Sequence, residues 1–186
     1  MEKTKTGGLG HGIGEFVVYR NSGIYRISDI RQENFCGIGE RTYYVMHSVY
    51  ETGSIVYLPI DAEDLETKIR SVTKPEEIDG IFDLAQNSGN VWVEDVKERA
   101  EYFDELLTRG GTADLLWLHC VLTNYKREIE GQRRKLYAND AKVLAAAEKI
   151  IAEEFSFVLG IDRSEIMSYI SDRMENLQTR KCGENG

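Results

Sequence analysis

Two histidines lie beyond the glycine-rich N-terminus, His47 and His119, and histidine is the side chain best suited to proton transfer or metal ligation near neutral pH. Neither has a partner at a zinc-site or catalytic-triad spacing. His47 falls between Met46 and Ser48 in a β-type segment, and His119 lies on the apolar stripe of a helical one. Both are expected to be hydrogen-bonded structural residues. The acid pairs Glu76-Glu77 and Glu153-Glu154 read as solvated helix faces rather than as a general acid and base. Cys36, Cys120 and Cys182 are far apart and form no CxxC, which predicts reduced thiols and no zinc ribbon or dithiol chemistry. No catalytic residue, metal site or cofactor is expected, and the chain is read as a non-enzyme.

Two other concentrations of side chains suit recognition. Lys126, Arg127, Arg133, Arg134 and Lys135 fall within ten residues whose only acids are Glu128 and Glu130. Such a segment at a helix junction can meet phosphates; on sequence alone a solvated connector between helices is the preferred reading. Tyr43, Tyr44, Tyr50 and Tyr57 crowd two successive β-type segments. In an alternating strand about half of such residues point away from the core. An exposed, tyrosine-bearing sheet edge fits protein recognition, because aromatics anchor interfaces and open edges accept a further strand. Cross-strand tyrosine pairs also stabilise small sheets on their own account.

The whole chain bounds these options. It has 186 residues, with 23 Lys and Arg against 32 Asp and Glu, for a net charge of −9. A field of that sign repels nucleic acid, so DNA contact has to be local, weak or supported by a larger assembly. No apolar run approaches the roughly 18 residues of a membrane span, and the N-terminus lacks a signal-peptide pattern. The expectation is a soluble, cytoplasmic protein without membrane contact. Residues 1–14 are expected to be a flexible glycine-rich leader that includes His11.

The elements that would position these groups divide in two. EFVVYR, GIYRISDIR, ERTYYVMHSVY and GSIVYLPI, between Glu15 and Ile60, are rich in Val, Ile, Tyr and Thr, the types that fit a pleated surface. Asn21-Ser22-Gly23 and Glu51-Thr52-Gly53 are tight-turn signals, and a longer loop runs from Phe35 to Gly39. With no helix between them, these strands predict an antiparallel meander curled into a small SH3- or Tudor-like barrel over residues 15–72. After Ile69 the period becomes helical. Pro75-Glu76-Glu77 opens a helix carrying Ile78, Ile81, Phe82 and Ala85 until Asn87-Ser88-Gly89. A second runs from about Val93 to Thr108, with Val96, Ala100, Phe103 and Leu107 on one stripe, and Gly110-Gly111 ends it. Thr112 is the expected N-cap of a third. The longest covers about Asn139 to Leu159, with Gly160 as its stop. Asp162-x-x-Glu165 resembles a capping box before a last helix. One-sided helices over residues 73–180 imply a bundle. The fold class is α+β: a β-barrel module joined near residues 70–74 to an all-α module. Residues 1–72 hold 8 basic and 10 acidic groups, and residues 73–186 hold 15 and 22, so the helical part carries −7.

The run Gly14 to Ile24, GEFVVYRNSGI, resembles the opening GD-x-VVYP-x-x-G of the CarD family of bacterial transcription regulators. Tyr43-Tyr44-Val45 and Ile55-Val56-Tyr57-Leu58-Pro59-Ile60 are similar to its later strands, and Ile69-Arg70-Ser71-Val72 to the segment closing its first domain. Val96-Lys97-Glu98-Arg99, Leu106-Leu107-x-x-Gly110 and Ala141 through Ile151 echo its helical half. The resemblance spans about residues 14–160. It implies a Tudor-like domain that binds the β subunit of RNA polymerase, related to one in the transcription-repair coupling factor. It also implies a helical domain lying on promoter DNA, with a tryptophan wedged into the minor groove, the two together stabilising the open complex. Polymerase-binding residues are expected at Tyr43, Tyr44, Val45, Ile55, Val56, Tyr57, Leu58 and Pro59. DNA contacts are expected at Val96, Lys97, Arg99, Lys126, Arg127, Arg133, Arg134 and Lys135. The family's wedge sits in W-x-x-R, fourteen residues before the glycine. Here that position is Val96, with Arg99 retained, so the resemblance implies a weaker grip on DNA within the polymerase complex. Arg20 stands where the family has proline, and Glu33 and Tyr57 where basic residues would help grip polymerase. The alternative is a protein–protein adaptor of the same fold without promoter contact.

Overall fold

Residues 10–35, 37 and 39–183 are described by the computed structural model, with side chains through residue 177. The reduced-thiol expectation for Cys36 and Cys182 and the leader expectation for residues 1–9 therefore lie outside the described residues. The chain divides into two compact units, Met1–Val72 and Thr73–Gly186.

In the first unit five strands form one antiparallel sheet of order β4-β3-β2-β1-β5. They are β1 (Phe16–Tyr19), β2 (Ile24–Glu33), β3 (Arg41–Ser48), β4 (Ile55–Pro59) and β5 (Ile69–Ser71), with a one-turn helix, α1 (Leu65–Lys68), before β5. The turns fall where Gly23 and Gly53 allow them, at φ +96° and +84°. Arg20, with φ +46°, donates its backbone N–H to the Lys68 carbonyl. Proline, held near φ −65° and lacking that donor, does not fit this position.

The expected barrel is corrected to an open sheet. Closure needs edge strands that can share a ladder. β5 has three residues, all paired to β1, and β4 ends at Pro59, which cannot donate. Leu65 of α1 and Ile69 instead complete the core of Val17, Tyr25, Ile27, Tyr44, Met46 and Leu58. A bulge between Ile27 and Asp29 turns Ile30 toward that same core, where strict alternation would have put it on the opposite face. The leader is shorter than expected: Gly14 donates to the Ile27 carbonyl of β2 at 2.7 Å, and His11 lies 3.5 Å from Glu15, so the turn before β1 is tied to the sheet.

The second unit opens with a 3₁₀ turn, Pro75–Glu77, which continues into α2 (Ile78–Gln86). It is followed by α3 (Val96–Arg109), α4 (Thr112–Gly131), α5 (Ala138–Leu159) and α6 (Ile166–Gly183). α4 and α5 form the central pair; α2 packs on α4, α3 on both, and α6 on α5. Phe82, Phe103 and Phe155 are fully buried, each worth about 2–3 kcal/mol in apolar burial. Gly160 caps α5 at φ +67°, the left-handed conformation glycine adopts without penalty. Thr112 does not cap α4: Gly111 does, with Asp114 accepting its N–H at 2.9 Å. Thr112 is buried and hydrogen-bonds Glu154 at 3.2 Å.

Gly110 sits in a close approach. A Cβ there would lie 2.3 Å from the Leu106 carbonyl oxygen and 2.9 Å from Asp114 Cβ. Gly110→Ala is expected to destabilise the helical unit by about 1–3 kcal/mol through overpacking of a backbone neighbour, read as a lower urea midpoint. Gly131→Ala, with open space around its site, is the control.

Candidate functional site

In the first unit the ladder bonds decide which backbone groups remain open. Ser48 donates to Ser54 and Ile60 donates to Thr42. By antiparallel alternation, residues 54, 56, 58 and 60 turn their main-chain groups toward β3. Those of Ile55, Tyr57 and Pro59 point outward from an edge that pairs with no other strand among the described residues. Ile55 and Tyr57 are also exposed side chains, at 47% and 38%. Phe35 lies edge-on to both Tyr57 and Tyr43, with ring centroids 5.1 and 5.2 Å apart. Arg31 donates to the Tyr57 hydroxyl at 2.9 Å and pairs with Glu33 at 2.8 Å, so its charge is held on its own strand. The edge strand thus presents two free N–H groups, two apolar side chains and an aromatic cluster beside them.

The sequence-expected residues separate accordingly. Ile55 and Tyr57 are on the accessible edge, and Val56 and Pro59 are half-buried. Tyr44 and Leu58 belong to the core, and Tyr43 and Val45 are buried too. β3 is hydrogen-bonded on both sides, so Tyr43, Tyr44 and Val45 cannot pair with a partner strand. Burial pushes the Tyr44 phenol above its ordinary value, with a backbone hydrogen bond from His11 opposing. Phe35 was missed; its signal was an aromatic placed in a glycine-containing loop. His47 is exposed opposite Ile55, without the side-chain hydrogen bond expected of it among the described residues.

In the second unit the basic segment straddles the end of α4. Lys126 and Arg127 are in its last turns, and Arg133, Arg134 and Lys135 are in the connector to α5. All five are exposed, and none enters an ion pair among the described residues. Arg134 donates to Ile129 and Arg133 to Glu130, a Schellman-type ending with Arg133 at φ +58° where glycine is usual. Lys97 is highly exposed, with Glu101 4.0 Å away, and Val96 is 40% exposed.

Arg99 is different, and its assignment as a DNA contact is corrected. It is 2% exposed and lies on the buried stripe of α3 with Phe103 and Leu107, in the place expected for Val96. Its Nη2 donates to Asp140 Oδ2 at 2.9 Å and its Nε to Oδ1 at 3.3 Å. Nη1 donates to the carbonyls of Val93 and Glu94 at 2.8 and 3.0 Å, and the guanidinium lies 4.5 Å from the Trp92 ring. A buried guanidinium with these partners holds the segment before α3 against the start of α5; it has no face for a phosphate.

The acid pair Glu153-Glu154 is likewise buried rather than solvated. Glu154 accepts from the Thr73 N–H and hydroxyl at 2.9 and 2.7 Å, and Glu153 accepts from Arg163 at 3.0 Å. Cys120 is a free thiol pushed up to about 11 by burial. His119 lies 3.3 Å from Glu148, and burial holds its imidazole below the usual range; Glu148 opposes this and Arg127 adds to it. A folded state that resists a proton loses stability as pH falls through the unfolded histidine value of about 6.5. His119→Gln is therefore expected to lessen the acid-side loss of stability, read from urea midpoints at pH 7.5 and pH 5.5.

Among the described residues no His, Cys, Asp and Glu cluster could hold a metal ion, and no helix is long and apolar enough to cross a membrane. Residues 12–73 match the family model of the CarD-like/TRCF RID domain, so the resemblance read from the strand motifs holds for the first unit. The match takes in a third of the chain and ends at the first residue of the helical unit. Comparison with curated proteins finds no match.

Proposed function

We propose that this chain is a non-enzymatic transcription regulator that binds RNA polymerase through its first unit. The observation that carries the reading is the RID-domain match over residues 12–73. The open β4 edge supplies the physical means: the N–H groups of Ile55 and Tyr57 donate to a strand of the polymerase β subunit, and their side chains with Phe35 supply apolar contact. The helical unit then meets promoter DNA through Lys97 and the segment Lys126, Arg127, Arg133, Arg134 and Lys135, supporting the open complex. Tethering to polymerase raises the effective concentration at the promoter, so an acidic unit needs only a weak local grip. The test is capture of purified bacterial RNA polymerase by the full chain, with the β subunit identified by cross-linking. Failure to retain polymerase at micromolar protein would end the reading.

A second reading, an adaptor that has lost promoter contact, is favoured by one specific observation: Arg99 is enclosed in the fold and Val96 offers little area to stack beneath a base. Promoter-complex lifetime separates the two. If the wild type leaves it unchanged and Val96→Trp lengthens it, the adaptor reading holds.

A further inference from the structure

Five large apolar side chains of the described helical unit reach solvent: Leu84, Val91, Val96, Tyr137 and Phe157. Tyr137 has a run of three cations on its own segment, since Arg133, Arg134 and Lys135 precede it by two to four residues, whereas Val96 has beside it only Lys97, which pairs with Glu101. Its ring is 46% exposed, and it is firmly placed. Its carbonyl accepts the Ala141 N–H at 3.0 Å in the first turn of α5. Its ring lies 5.8 Å from the buried Arg99 guanidinium, which the Asp140 carboxylate and two carbonyls hold in place. Tyr137 is therefore anchored on one side through Arg99, and nearly half of it faces water.

A rigid, exposed aromatic beside exposed cations that enter no ion pair is suited to a base and the phosphates that flank it. We infer that Tyr137 is a base-stacking platform for unpaired nucleic acid, with Arg133, Arg134 and Lys135 on the adjoining phosphates. An acidic peptide would satisfy the cations but leave the ring in water. A fully paired duplex would also leave it there, because its base faces are already stacked. Of the acids nearest in sequence, Asp140 is enclosed with Arg99, while Glu130 and Glu128 are exposed in the last turns of α4 and form no ion pair with these cations, which still outnumber them. The inference rests on the reading that the helical unit meets DNA, and it names where a melted strand would be held.

The test is fluorescence anisotropy of the full chain at low ionic strength, with two DNAs of one sequence, one fully paired and one carrying a central bubble. The wild type is expected to prefer the bubble. Tyr137→Ala should cut bubble affinity about tenfold, within the range of a base–aromatic stack, and leave the paired duplex unchanged, whereas Tyr137→Phe keeps the preference. Arg133→Ala with Arg134→Ala should weaken both DNAs alike and flatten their salt dependence. Helical circular dichroism confirms that each variant is folded. If Tyr137→Ala keeps the wild-type ratio of bubble to duplex affinity, the platform is overturned and DNA contact survives. If the wild type binds neither DNA, DNA contact and the platform fail together.

Discussion

Arg99→Ala is expected to lose about 3–5 kcal/mol of stability, the cost of stranding one member of a buried ion pair. Asp140, 1% exposed, would be left without its bidentate partner, and the carbonyls of Val93 and Glu94 would lose two donors. A typical domain has only about 5–15 kcal/mol in all, so this is a large share of what holds the helical unit folded. Arg99→Lys should fare little better, because an ammonium cannot reproduce a planar fork reaching a carboxylate and two carbonyls together. The informative partner is the double replacement Arg99→Met with Asp140→Leu. Removing both charges takes away the stranded carboxylate, and such exchanges are often neutral. Urea titration followed by far-UV circular dichroism reads all of these. A single Arg99→Ala midpoint equal to wild type, or a double replacement no better than the single one, would show that the pair is not a structural unit. The same experiment bears on function, since any loss of DNA contact in an Arg99 variant would come from unfolding and not from a missing phosphate ligand.

Ile55→Pro is expected to lower affinity for polymerase at least tenfold, about 1.4 kcal/mol, with little change in thermal stability. Proline is tolerated at the first residue of an edge strand, and the Ile55 N–H points away from β3. The substitution removes one donor of an added ladder together with an apolar side chain that is 47% exposed. Val56→Pro is the contrast, since that N–H turns toward β3 and its loss should weaken the sheet itself. If Ile55→Pro binds polymerase as the wild type does and remains folded, the β4 edge is not the docking surface. Tyr57→Ala then tells whether the aromatic cluster with Phe35 acts by its side chains alone.

The parts of this molecule that were legible in its residues are those set by neighbours within a few positions. The four long strands follow runs of Val, Ile and Tyr, and their turns fall at Gly23 and Gly53 because only those positions adopt positive φ cheaply. Ile78, Ile81, Phe82 and Ala85 mark the inner face of α2, and Gly160 ends α5. β4 was also legible, since the RID-type motifs run along β1, β3 and β4. Which of its residues are usable was not. Tyr44 and Tyr57 look alike in a list of strand tyrosines, yet one lies in the core and the other on the open edge. The pleat, the Ile27–Asp29 bulge and the sheet order separate them.

By itself the sequence determined the two-part division, the order and hand-over of strands to helices, and the kinship of the first unit, because periodicity, turn chemistry and charge are local. Only the tertiary structure decided that the sheet stays open at β4, that Glu153 and Glu154 are interior, and that Arg99 is a strut rather than a phosphate ligand. Arg99 and Asp140 are 41 residues apart. An arginine on a helix reads as solvated until packing brings a carboxylate to it, and that meeting depends on how whole helices stack, which no short stretch of residues encodes.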